Sequence, residues 1–63
     1  MTSAETKRIT DRIEALQAIH ASYLAYLRHR IDEADWHGGW AACVNLAETE
    51  DEIAGLRFAL NQT

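Results

Sequence analysis

The 63-residue chain has no proline, a single cysteine, three glycines and no long apolar run. Without proline, nothing in the backbone breaks a helix from within. With Cys43 alone, no disulfide can form inside the chain, and a lone free thiol suits a reducing compartment. No CxxC or His-x-His cluster offers the spacing of a structural zinc site. Basic residues are also scarce. Six Lys and Arg stand against ten Asp and Glu, a net charge of −4, which argues against a nucleic-acid protein with a broad basic surface. No run approaches the ~18 apolar residues of a membrane span. The segment "MTSAETKR" lacks a secretory apolar core, so the expected location is cytoplasmic.

What the chain has is helical pattern. "TSAE" sets Thr2 three residues before Glu5, the spacing of a capping box, and predicts a helix over about 3–33. Ile9, Ile13, Leu16, His20, Tyr23, Leu27 and Ile31 follow at steps of four and three, with His20 the one polar member. Ile19, Leu24 and Tyr26 widen the stripe to roughly half the circumference. Lys7, Asp11, Glu14, Arg28, His29 and Asp32 occupy the other side. The pattern breaks at residues 34–35, where Asp35 makes a good N-cap. A second helix then spans about 36–60. It carries two adjacent apolar stripes, one of Trp36, Trp40, Cys43, Ala47, Ala54 and Phe58, the other of Ala42, Leu46, Ile53, Leu56 and Leu60. Together they cover about 200°, too wide for one neighbour. His37, Glu48, Asp51 and Glu52 remain as a polar strip.

The predicted fold is therefore all-α: an antiparallel two-helix hairpin with more apolar surface than one partner helix can cover. A lone chain of this size hides only about 60% of its unfolded surface, and with disulfides and zinc excluded, oligomerisation is the remaining source of stability. The expected assembly is a homo-oligomeric helical bundle, four-helix if dimeric. A larger ring of hairpins meets the same requirement.

The stretch "ADWHGGWAAC" admits two readings. In one it is a tight turn whose glycines let backbones crowd and whose tryptophans fill the closed end of the hairpin. In the other, the free amides at the start of the second helix, bare at Gly38 and Gly39, receive an anion. Trp36 and Trp40 then offer indole faces to a ring, with His37 beside them. Charged and polar residues inside the apolar arcs divide likewise. Either Arg12, Arg30, Glu50 and Arg57 form ion pairs between chains while His20 is a hydrogen-bonded core histidine that fixes register, or Arg30 lines a pocket with Tyr23 and Tyr26. The candidate ligand-binding residues are thus Tyr23, Tyr26, Arg30, Trp36, His37, Gly38, Gly39, Trp40 and Arg57. Cys43 reads as a small core residue. No nucleophile–base arrangement or metal-ligand spacing appears, so the expectation is a non-enzymatic protein without metal or cofactor.

The segment "LRHRIDEADWHGGWAACVNLAETEDEI" resembles small helical-hairpin proteins of tailed bacteriophages. Their pattern has an acidic-Gly-Asp-Trp-His-Gly-Val turn followed by a helix opening Asp-Ala-Ala. The likeness is carried by Asp35, Trp36, His37, Gly38, Ala42, Leu46, Glu48 and Glu50. It departs at Ala34, where the pattern has glycine, and at Gly39, Ala41, Asn45 and Ala47. The resemblance implies a phage product acting in the bacterial cytoplasm. A looser analogy, of size and helix content only, links it to viral sponge proteins that sequester nucleotide immune signals between subunits. On that analogy the partners are further copies of the chain and a cyclic or ADP-ribose-type nucleotide. The competing expectations are an acidic inhibitor of a basic protein, acting through Glu48, Asp51 and Glu52, and an assembly accessory with no small-molecule ligand.

Overall fold

A computed structural model describes residues 1–62. It contains two helices, α1 (Ser3–Asp32) and α2 (Trp36–Leu60), and no strand among the described residues. They fold back on each other as an antiparallel hairpin, a rod of 47 × 15 × 10 Å.

Helix α1 starts where its capping box dictates. The Thr2 hydroxyl oxygen accepts from the Glu5 amide at 3.1 Å, and the Glu5 carboxylate accepts from the Thr2 amide at 3.1 Å. These contacts hold the Glu5 carboxyl below its ordinary pKa, the Thr2 amide first and the hydroxyl second. With 30 residues against 25, α1 is five residues longer than α2, about 7.5 Å of helix.

The connection is Glu33, Ala34 and Asp35. Ala34 takes a positive φ of 56°, the left-handed region where a Cβ is unfavourable. Reversal is completed by hydrogen bonds from the Ala34 amide to the Ile31 carbonyl and from the Asp35 amide to the Arg30 carbonyl, 2.9 and 2.8 Å.

Two lines of side chains meet between the helices. On α1 they are Ile9, Ile13, Leu16, His20, Tyr23, Leu27 and Arg30, stepping four and three throughout. Arg30 thus continues the alternation where Ile31 was expected, and Ile31 is exposed. On α2 the line is Gly39, Ala42, Leu46, Thr49, Ile53, Leu56 and Leu60. Such 3–4 spacing is the seam of a coiled-coil-like pair. Thr49 fills the step between Leu46 and Ile53, and its hydroxyl donates to the Asn45 carbonyl at 2.7 Å, so it is buried without an orphaned oxygen. The buried apolar residues are Ile13, Leu16, Ala42, Leu46 and Ile53, and no large side chain is fully enclosed among the described residues.

Several sequence expectations are corrected here. Trp36 and Trp40 do not fill the closed end of the hairpin: they are 68% and 67% exposed, and Phe58 is 67% exposed. The reason is space. The helices approach through Gly39 and Ala42 opposite Leu27, and a line beginning with such small residues draws the backbones too close to admit an indole. Cys43, expected inside, lies exposed on the same outward stripe. Ile19 and Tyr26 are also exposed.

Candidate functional site

The residues singled out by the sequence fall on two opposite edges of the hairpin. Arg12, Ile19 and Tyr26, seven apart, mark one edge of α1, and Arg12 reaches across it to Glu52, Nε to Oε2, at 2.9 Å. His20 marks the other edge, its Nε2 3.0 Å from Oε1 of Glu50. On α2 that second edge continues along Cys43, Glu50 and Arg57, again seven apart. Both contacts join the two helices of one chain, where the ion-pair reading expected partners between chains. Arg12, Glu52 and Glu50 are about half-exposed or more and His20 is partly buried, so each contributes little to stability.

On the first edge, near the turn, Arg30 is the hub. Its guanidinium donates from Nη1 to Asp35 Oδ2 at 3.2 Å and lies over the Tyr26 ring, 5.1 Å from the centroid. Its Nε is buried without a hydrogen-bond partner. Asp35 caps α2 with its other oxygen, Oδ1, which accepts from the Gly38 amide at 2.9 Å. That amide first, and the Arg30 guanidinium second, hold the Asp35 carboxyl below the ordinary aspartate range. The anion at the start of α2 is therefore the chain's own carboxylate.

This clamp explains one glycine of the pair. A Cβ on Gly38 would stand 2.5 Å from Asp35 Oδ2 and 2.9 Å from Arg30 Cδ, so a side chain there would force the clamp apart. Gly39 is different. Its nearest neighbour would be Leu27 Cδ1 at 3.7 Å, an ordinary contact, so Gly39 is not required by space.

Tyr23 and Tyr26 border a shallow concavity of about 420 Å³ along α1, with Ala18, Ile19 and Ser22. Arg57 borders a second groove, of about 310 Å³, with Gln17, His20, Glu50, Ile53 and Ala54. Trp36 and Trp40 project from α2 on the outward stripe, about 130° round the helix from the line through Ala42, Leu46 and Ile53. His37 is exposed beside them. The structure thus brings Tyr26, Arg30, Asp35 and Gly38 together and sets the indoles on the other edge. Arg57 stands at the far end of α2. Within one chain the nine candidates do not converge on a single cavity.

The Asp35–Gly38 half of the clamp follows from reading Asp35 as an N-cap, whereas its second partner, Arg30, was missed. The available signal was spacing: a cation five residues before an N-cap aspartate, with glycine three beyond, as the reversal requires. Among the described residues no group of three or more His, Cys, Asp or Glu is placed to hold a metal ion, and no helix is long and apolar enough to cross a membrane. No protein-family model matches the chain, and no curated protein or solved structure matches it.

Proposed function

We propose that this protein acts by stoichiometric binding rather than by catalysis, as a homo-oligomeric helical bundle that holds a nucleotide-type ligand where hairpins meet. The observation that carries the proposal is the outward stripe of α2. Its three largest side chains, Trp36, Trp40 and Phe58, stand about two-thirds exposed on one side of a rod that has no other use for them. Exposed aromatic surface of this kind marks a binding face. Indoles suit both a neighbouring helix and a planar base, and Arg57 on the adjoining edge suits a phosphate. With the phage resemblance, the ligand would be a host immune nucleotide, sequestered intact in the bacterial cytoplasm.

Purified protein titrated with cyclic nucleotides, cyclic dinucleotides and ADP-ribose should melt at a higher temperature with one of these classes. The linkage is about 2.7 kcal/mol at a ligand concentration 100 times Kd. His37→Ala, beside the indoles but off the outward stripe, should remove the shift while light scattering shows the assembly intact. No shift with any class rejects the nucleotide and leaves assembly alone. A second reading is favoured by the acidic strip, where Glu48 and Asp51 are exposed and join no ion pair among the described residues. An inhibitor of a basic protein would lose its effect in Glu48→Gln/Asp51→Asn and keep it in Trp36→Ala.

A further inference from the structure

The stripe on α2 is self-complementary when it is reversed. Counting outward from Ala47, Trp40 lies seven residues to one side and Ala54 seven to the other. Trp36 and Phe58 lie eleven to either side, and Cys43 and Asp51 four. A helix laid antiparallel on its own copy about Ala47 therefore sets Trp40 against Ala54, large on small, and Trp36 against Phe58, ring on ring. Ala47 at the centre lets the two helices approach closely. Laid parallel, the same stripe sets Trp36 on Trp36, Trp40 on Trp40 and Phe58 on Phe58 while Ala47 and Ala54 face themselves, overfilled at both ends and hollow between.

We propose, resting on the oligomeric reading above, that the partner of this face is a second copy of the chain. The copy docks with α2 antiparallel to α2 about a two-fold axis at Ala47, and Trp40 of each subunit packs at the level of Ala54 of the other.

Ala54 is in the right place to receive it. It lies exposed on the stripe, at the rim of a groove of about 310 Å³ shared with Gln17, His20 and Arg57. Ala54 stands about 10.5 Å along the axis from Ala47, and Trp40 of the reversed copy arrives at that level. Area is sufficient. Three aromatics from each of two chains, about two-thirds free and ~150–250 Å² apiece, supply roughly 600–1,000 Å². A stable interface needs about 1,600 Å² in total, so they account for about two-fifths to three-fifths of it, with Cys43, Val44 and Ala47 of both chains adding to them. The contact is isologous, so it closes as a dimer and makes a four-helix bundle.

Single-cysteine chains test the register in a Cys43→Ser background. Under mild oxidation Ala47→Cys should give mostly disulfide-linked dimer, because the two thiols meet at the axis. Ala54→Cys should give almost none, its copies standing about 21 Å apart along the helices. Equal crosslinking at both positions overturns the antiparallel docking in favour of a parallel one. Crosslinking at neither, from a protein that light scattering shows to be dimeric, overturns the seam and leaves the oligomeric reading standing. A monomer at all concentrations overturns both. Independently, Trp40→Ala should raise the dimer dissociation constant by at least ~30-fold, and an unchanged constant rejects the seated indole.

Discussion

The two sides of α2 use opposite materials. The side turned to α1 is built from Gly39, Ala42, Leu46, Thr49 and Ile53, small to medium residues that are buried. The side turned away carries Trp36, Trp40 and Phe58, the bulkiest apolar groups of the helix, and leaves them in water. Apolarity alone therefore does not decide which stripe turns inward. A connection of three residues holds the helices close, and the line of α2 that meets α1 carries no side chain larger than Leu or Ile. The large ones are left for a surface that meets its neighbour on its own terms.

Substitutions on the two sides should separate in kind. Leu16→Ala, which empties a position only 4% exposed against that inner line, is expected to cost about 2–5 kcal/mol in urea unfolding. The double change Trp36→Gln/Phe58→Gln should instead abolish the rise of melting temperature with protein concentration that marks an oligomer. A comparable loss of concentration dependence in Leu16→Ala, at matched fraction folded, would erase the distinction between the sides.

The adjacent glycines sharpen it further. Gly38→Ala drives a methyl into the Asp35–Arg30 pair and should destabilise the hairpin by about 1–3 kcal/mol. Gly39→Ala meets only ordinary contacts and gains helix propensity, so it should stabilise by up to about 1 kcal/mol. Thermal melts of the two variants should move in opposite directions.

Acid should act on the same clamp. The Asp35 carboxyl has a lower pKa folded than unfolded, so its contribution is complete above the ordinary aspartate value, near 3.8, and is lost as pH falls through the depressed folded value. Helix content followed by circular dichroism should hold steady down to about that pH and decline below it. Asp35→Asn should flatten this part of the profile. The smallest effect belongs to Ala34. Glycine there relieves the left-handed strain but loosens the unfolded chain, so Ala34→Gly should stabilise by at most about 1 kcal/mol.

Most of the fold was legible because each helix carries its own boundary signals. Thr2 and Glu5 announce one start and Asp35 the other, and the observed ends lie within a residue of those read from the pattern. Thr49 was passed over because its polarity hid it in an otherwise regular series, although the four-and-three step from Leu46 to Ile53 required a residue there. The outward turn of the tryptophans was hidden for a related reason: a wheel reports which residues are greasy but not how near two backbones come. The site was legible only in pieces. The cap from Asp35 to Gly38 could be read from spacing, yet the joining of Arg30 to Asp35 depends on a chain reversal through Ala34, whose left-handed backbone a residue other than glycine does not announce.

The unequal lengths of the helices carry a practical consequence. At the opening turn of α1 the Glu5 amide is held by Thr2 and the Thr2 amide by Glu5, and the Lys7–Asp11 pair ties the surface within the helix. A dye, affinity handle or carrier protein spliced ahead of Met1 would extend from the tip of the rod, clear of α2. Tethered chains could thus be counted or pulled in single-molecule work while the aromatic flank stays free to find its mate.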